Sequence, residues 1–174
     1  VGRLGEVTYT MRQRGMKLCI LTEAQIDGAS FFRFDGFWIF QSGDSTSKST
    51  GLVSILSDDL YSSLYKWHPW SGRVALMQFK ITGDLISVFG VYAPYEGIRR
   101  ADDGPSSEAQ RISHWDFLGD KIEDARRAGL VLVLGDMNTS CRWRRTGEAS
   151  HSGRHLFSPL DSTDITEDAP DPIP

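Results

Sequence analysis

Oxygen-bearing side chains stand at the ends of two apolar stretches of this sequence. The stretch "LCILTEAQ" delivers Glu23, and "GLVLVLGDMNTS" delivers Asp136, with Asn138 two positions later. Residues at positions i and i+2 of a strand point to the same side, so Asp136 and Asn138 can face one cleft from a single strand end. Ligands of open α/β sheets bind at such strand ends.

This set of side chains favours a hard cation. Mg²⁺ prefers carboxylate and carbonyl oxygens, keeps several waters, and is often shared with a substrate phosphate. An acid paired with an amide suits that pattern. However, Asp and Asn are also ordinary turn residues, and a glutamate at a strand end is often only solvated. The residues alone therefore leave a metal site and plain turn chemistry both open.

One helix pattern followed by several strand patterns occupies the segments that would position these residues. "VGRLGEVTYTMRQRG" predicts a short amphipathic helix that ends at Gly15. Strands are predicted in "MKLCILTEAQ", "FDGFWIFQS" and "GLVSILSD", the last two separated by the turn-rich "GDSTSKST". "RVALMQFKITGDLISVFGVYAP" predicts a β-hairpin that turns at Thr82, Gly83 and Asp84 and ends at Pro94.

A second helix is predicted before the strand that carries Asp136. Ser107 and Gln110 fit a capping box, and Gly129 stands just past the helix end. Its predicted apolar stripe comprises Ile112, Trp115, Leu118, Ile122 and Ala125. The order helix, strand, antiparallel strands, helix, strand predicts a layered α/β architecture with mixed sheets rather than a doubly wound fold.

Length and composition predict one soluble globular domain. The chain has 174 residues, of which 40% are hydrophobic and 24% charged. The net charge of -4 argues mildly against a high-affinity, non-specific DNA surface but not against a local basic patch. No apolar run approaches the ~20 residues that span a bilayer, so no membrane association is expected. Cys19 and Cys141 form no zinc or CxxC spacing, which predicts reduced thiols in an intracellular protein.

Three motifs together resemble the endonuclease/exonuclease/phosphatase superfamily. "LGDMN" resembles its GD[FM]N signature, "ILTEAQ" its LxE strand and "VFGVYAPYEG" its YAP strand, in the superfamily's order. Within the superfamily the chain looks most like the endonuclease domain of non-LTR retrotransposon (endonuclease/reverse transcriptase) proteins, through "GRLGEV" and "SEAQRISHWDFL". The resemblance covers most of residues 2–139.

This resemblance implies a fold, an activity and roles for four residues. The implied fold is an incomplete four-layer α/β sandwich, two mostly antiparallel or mixed sheets flanked by helices, over residues 1–140, with 141–174 as a polar loop and flexible tail. The implied activity is DNA nicking by a phosphodiesterase that uses Mg²⁺, or alternatively Mn²⁺. Glu23 would hold the metal, and Tyr92 would hydrogen-bond the scissile phosphate. Asp136 would orient or deprotonate the attacking water, and Asn138 would stabilise the developing phosphorane charge. DNA and a reverse transcriptase domain of a parent polyprotein are the implied partners, with a nuclear location.

Two parts of the superfamily's pattern do not occur in this sequence. The family has an asparagine-bearing strand before the first helix and an "SDH" signature at its end, so we expect a fragment that lacks both. We therefore assign no catalytic role to any of the four histidines, His68, His114, His151 and His155. A non-catalytic remnant that binds nucleic acid weakly, and a superfamily phosphatase that acts on another phosphoester, stay open as alternatives.

A basic segment follows the GDMN motif. Arg142, Trp143, Arg144 and Arg145 interleave an aromatic ring with cations beside the expected cleft. Such a segment suits a nucleic-acid backbone with a stacked base. A solvated loop fits the same residues equally well.

Overall fold

The computed structural model describes residues 2–44, 47–94 and 107–138 of the chain. The helices in these ranges are α1 (Gly2–Arg14), α2 (Asp58–Tyr61) and α3 (Ser107–Arg126). The strands are β1 (Leu18–Leu21), β2 (Ala29–Phe34), β3 (Phe37–Asp44), β4 (Ser47–Ser57), β5 (Leu64–Pro69), β6 (Val74–Ile81), β7 (Asp84–Tyr92) and β8 (Leu130–Asp136). The predicted polar loop and tail, residues 141–174, lie outside the described ranges.

The strands form two four-stranded sheets, which confirms the predicted α/β fold with two sheets. The first sheet has the order β1-β4-β3-β2, and its neighbouring strands are all antiparallel. The second has the order β5-β6-β7-β8, in which only the β7–β8 pair is parallel. That parallel pair arises because α3 carries the chain back to the start of the sheet between the two strands.

Three apolar clusters arrange these elements as helix, sheet, sheet, helix. Met11 of α1 is buried against the outer face of the first sheet, on Phe37, Ile39, Val53 and Ile55. Between the sheets, side chains from both are buried together: Phe40, Leu56, Met77, Phe79 and Val88. Leu118 and Ala125 of α3 are buried against the outer face of the second sheet, on Val74, Leu76, Phe89 and Val91.

The alternation of side chains along β7 and β8 determines the side of the sheet to which the polar residues at the ends of these strands point. Phe89 and Val91 face α3, whereas Val88 faces the first sheet. Since side chains alternate between faces, Tyr92 at the end of β7 points to the same side as Val88. Tyr92 is the register partner of Asp136, so Asp136 points to that side too. Both therefore emerge at the edge of the layer between the two sheets.

Two strands and half of a helix face differ from the sequence-based expectations. β2 and β5 were not predicted, because β2 is short and largely exposed and β5 ends in Trp67, His68 and Pro69, which resemble a loop. On α3, the expected stripe holds for Leu118, Ile122 and Ala125, but Ile112 and Trp115 are exposed by 55% and 37%. His114 instead occupies the inward position one turn before Leu118, and a polar residue there is not detected by an apolar pattern.

None of the helices in the described ranges has the length and hydropathy of a bilayer-spanning segment.

Candidate active site

Glu23 is held at the end of β1 by an unusual backbone. Glu23 and Gln25 have positive φ angles of 57° and 50°, which non-glycine residues rarely adopt. The intervening Ala24 donates its N–H to the Gly51 carbonyl at 3.1 Å, and Ile26 donates to the Thr50 carbonyl at 3.3 Å. The loop that carries Glu23 is therefore fixed along β4 rather than left in solvent.

Gly51 makes this close approach of loop and strand possible. Its φ is +152°, and a Cβ atom there would lie 2.9 Å from the Ile26 nitrogen. Any larger residue would push the loop away from β4. The glycine that begins "GLVSILSD" thus contributes to the placement of Glu23, a role that the sequence pattern did not indicate.

Asp136 is held at the end of β8 by its neighbours on β7. Gly135 adopts a φ of +139° and packs so tightly on the Val91 carbonyl oxygen that a Cβ atom would clash with it. Past the last register pair, Ala93 donates its N–H to the Asp136 carbonyl at 2.8 Å. The glycine of the "LGDMN" motif is thus needed for the close contact of β8 with β7 that sets Asp136 beside Tyr92.

Asn138 turns back onto Asp136. With a φ of 47°, Asn138 donates its backbone N–H to Asp136 Oδ1 at 2.8 Å. Its side-chain Nδ2 donates to the Ala93 carbonyl at 2.6 Å. The asparagine therefore locks the Asp136 carboxylate and the end of β7 together, and its amide oxygen has no partner among the described residues.

Tyr92 joins the two sheets at this point. Its hydroxyl donates a hydrogen bond of 2.8 Å to Glu23 Oε1. Burial raises the pKa of the Tyr92 hydroxyl, and the Glu23 carboxylate raises it further through the hydrogen bond and its charge, with a smaller increase from the Asp136 charge. Tyr92 therefore stays protonated at neutral pH and remains a hydrogen-bond donor.

Arg73 lies beside Tyr92, and the sequence analysis did not identify it as a candidate site residue. It lies directly before β6, and its carbonyl accepts the Tyr92 N–H at 2.8 Å. Its guanidinium lies over the Tyr92 ring, with Cζ 4.9 Å from the ring centroid, and Nη1 donates to the Tyr92 carbonyl at 3.3 Å. The sequence shows only a cation just before a strand. Its proximity to the "YAP" motif becomes apparent only when the pairing of β6 with β7 is known.

The acidic side chains are of the type that binds a magnesium ion with few protein ligands. Among the described residues, no group of three or more His, Cys, Asp or Glu side chains is placed to hold a metal. Mg²⁺ does not need such a group, because it commonly keeps several waters and binds one or two carboxylates together with substrate phosphate oxygens. Glu23 is exposed and uses only Oε1 toward Tyr92, so Oε2 is left for an ion.

The structure thus brings together the four residues expected at the site. Glu23 contacts Tyr92, Tyr92 pairs with Asp136, and Asp136 accepts from Asn138. Their roles in chemistry remain predictions. The proposed nucleic-acid residues Arg142, Trp143, Arg144 and Arg145 lie outside the described ranges.

Comparison with known proteins does not assign the chain to a family. No protein-family model matches it, and no curated protein is similar to it at a significant level.

Proposed function

We propose that this chain is a Mg²⁺-dependent phosphodiesterase of the retroelement-endonuclease type that nicks DNA. The observation that carries the proposal is the 2.8 Å hydrogen bond from Tyr92 to Glu23, formed on a tyrosine whose strand partner is Asp136. Glu23 and Asp136 are 69 and 44 positions from Tyr92 in the sequence and meet it there. All three are residue types that can position and neutralise a phosphate ester. The three ordered motifs resemble the endonuclease/exonuclease/phosphatase superfamily, and "GRLGEV" and "SEAQRISHWDFL" resemble its retrotransposon endonucleases, which supports the same activity.

Positioning and charge neutralisation account for most of the catalysis of phosphoryl transfer. A magnesium ion held by Glu23 would act as a Lewis acid and as a template for the phosphate. Tyr92, kept protonated by its raised pKa, would turn its single O–H from Glu23 to a non-bridging phosphate oxygen when DNA binds. One Nδ2 hydrogen of Asn138 is donated to the Ala93 carbonyl, and the other would help to hold the developing negative charge. Asp136 would orient the attacking water.

The proposed reaction is a hydrolysis that needs no co-reactant besides water. The water oxygen forms a bond to phosphorus as its proton passes to the Asp136 carboxylate. The bond between phosphorus and the 3′ oxygen breaks, and the departing oxygen takes a proton from solvent. The products are a 3′-hydroxyl and a 5′-phosphate, and the 3′-hydroxyl can prime reverse transcription in a retroelement.

A second candidate is a non-catalytic protein that binds nucleic acid weakly. It is favoured by the small number of acidic ligands, because the described residues offer no group of three possible metal ligands. Under this alternative, Glu23, Tyr92 and Asp136 preserve the geometry of the fold without turnover.

Nicking of supercoiled plasmid DNA separates the two candidates. We expect the wild-type chain to nick in Mg²⁺, and Asp136→Ala to lose about 10²–10⁴ in rate, the usual effect of removing a general base. The nicks should be extended directly by a DNA polymerase, because they carry a 3′-hydroxyl.

Asp120→Asn is the matched control, since it removes a carboxylate from the exposed face of α3. It should nick at the wild-type rate. Equal nicking by wild type and Asp136→Ala would reject the role of Asp136, and an inert wild-type protein would favour the non-catalytic candidate.

A further inference from the structure

A cleft of about 710 Å³ lies between α3 and the loop that carries Arg73. Its walls come from three places: the facing ends of β3 and β4, the segment that joins β5 to β6, and the N-terminal half of α3. Polar and charged side chains on these walls are Asp44, Thr50, Ser71, Arg73, Gln110, Ser113 and His114. Arg73 also lies over the Tyr92 ring, so the cleft adjoins the candidate active site.

The loop beneath the cleft is built to present Arg73 in one position. Ser71 Oγ accepts the backbone N–H groups of Arg73 and Val74 at 3.1 and 3.2 Å, and the Ser71 carbonyl accepts from Ser42 Oγ at 2.7 Å. The Gly72 carbonyl accepts the Gly51 N–H at 3.1 Å, which joins this loop to the strand that supports Glu23. The Arg73 side chain is half-buried, so its charge is partly shielded from solvent.

No carboxylate neutralises Arg73 within the part of the chain that the structure describes. Its hydrogen bond to the Tyr92 carbonyl uses one of its five N–H groups. Asp44 lines the same cleft, but its Oδ2 accepts from Thr50 Oγ1 at 3.2 Å and is not paired with the guanidinium. A half-buried guanidinium with unused donors is the usual protein partner of a phosphate group.

Helix α3 supplies further donors to the same space. Gln110, Ser113 and His114 are three and four positions apart, so they share one face of the helix. His114 Nε2 is buried and has no hydrogen-bond partner in the described ranges of the chain. Burial and the Arg73 charge lower the pKa of His114, so its ring is neutral at pH 7. A nearby anion would favour the protonated ring.

We infer that this cleft holds a phosphate of the DNA backbone next to the scissile one, bound by Arg73 and by His114 of α3. The inference rests on the proposed nuclease function and deepens it, because a second phosphate site selects a polynucleotide over a small phosphomonoester. An adjacent phosphate on the same strand would occupy the space between the guanidinium and the imidazole. It would also give the buried Nε2 atom a partner, which satisfies an otherwise costly buried polar group.

The test is the affinity of the full chain for a short fluorescent DNA duplex, measured by anisotropy in EDTA so that no cleavage occurs. Arg73→Gln should weaken binding about tenfold or more, as expected for loss of a charge-assisted hydrogen bond. It should also reduce the slope of log affinity against log salt by about one. His114→Phe keeps a planar ring without nitrogens and should weaken binding about three- to tenfold.

Arg127→Gln is the control, because it removes an equal charge from the other end of α3, where Arg127 pairs with Asp124 at 3.8 Å. Its salt slope should match that of the wild type. Wild-type affinity in both Arg73→Gln and His114→Phe would overturn the inference. The inference would also fall if inorganic phosphate quenched the tryptophan fluorescence of the wild type but not of Trp70→Phe, and did so without displacing the DNA. The cleft would then hold free phosphate instead.

The failure of this inference can be told apart from the failure of the proposed function. If Asp136→Ala abolishes nicking while both cleft variants bind DNA as wild type does, the nuclease stands and the cleft assignment falls. If the wild-type chain neither binds nor nicks DNA, both fall together.

Discussion

At the residue scale, the contact between Tyr92 and Glu23 is the feature most directly open to test. Tyr92→Phe removes only the hydroxyl and leaves the ring beneath Arg73. We expect it to slow nicking about 10²–10³-fold, the usual effect of removing one donor to a developing negative charge. Stability should fall by only about 0.5–1.5 kcal/mol, since one exposed hydrogen bond is lost.

Plasmid nicking and urea unfolding of the same preparations measure the two effects. Tyr65→Phe, which removes the hydroxyl of a tyrosine exposed by 59%, is the control and should change neither. A large loss of stability with unchanged nicking would make Tyr92 a structural residue rather than a phosphate ligand.

Residue types in the sequence predicted part of this site. Glu23, Asp136 and Asn138 were detectable as oxygen-bearing side chains at the ends of apolar strands, and the resemblance of three ordered motifs to a known superfamily favoured a site over plain turn residues. Arg73 and His114 were not detectable in this way. Each is a candidate only because of neighbours distant in sequence. Arg73 lies over Tyr92, and His114 lines the cleft opposite the Arg73 loop. A pattern along the chain does not show such contacts.

At the scale of single elements, the junction of β7 and β8 depends on one glycine. Gly135→Ala places a methyl group against the Val91 carbonyl and requires a φ of +139° from an alanine. We expect a loss of roughly 1–3 kcal/mol or more in the free energy of unfolding, the usual cost of such backbone strain. Urea denaturation followed by circular dichroism measures it.

Gly119→Ala provides the matched control. Gly119 lies within α3, and a Cβ atom there would meet nothing within 4 Å. Alanine should therefore stabilise the protein by roughly 0.5–1 kcal/mol through its higher helix propensity. Equal effects from both substitutions would contradict the tight packing of β8 on β7.

The elements themselves were predictable where a pattern was long and regular. The hairpin of β6 and β7 was expected from its alternation and confirmed, with Thr82 and Gly83 both at positive φ in the turn. β2 was missed although Asp35 and Gly36 form the tight turn before β3, because the six residues of β2 bury almost nothing. Burial of a strand depends on what lies across from it, which its own sequence does not specify.

At the scale of the whole molecule, the layer between the two sheets should contribute most to stability where one sheet covers the other. Leu56 is fully buried in that layer, whereas Leu132 of β8, on the same side of its sheet as Asp136, is 43% exposed. Leu56→Ala should cost about 2–5 kcal/mol, as for other buried leucines. Leu132→Ala removes the same atoms from a partly solvated position and should cost about 1 kcal/mol or less.

Urea unfolding of the two variants is the measurement, and each serves as the control for the other. A larger cost at Leu132 than at Leu56 would contradict the expected dependence on coverage by the facing sheet.

The layered plan could be anticipated from the order of the elements, but the pairing of layers could not. Phe40 and Met77 belong to different sheets and are buried together, although nothing in their segments distinguishes an inward from an outward face. Which side of each sheet faces the other is decided by the helices that cover the outer faces, and so by the assembled molecule.

The division of the candidate site between the sheets has a mechanical consequence. The loop that carries Glu23 is anchored to the first sheet, because Ala24 and Ile26 donate to β4. Tyr92, Asp136 and Arg73 lie instead on the second sheet or directly beside it. Any loosening that lets the sheets slide or separate would pull the acid away from its tyrosine while leaving every strand paired. We therefore expect the proposed nicking activity to fall at a lower temperature than the circular dichroism signal does.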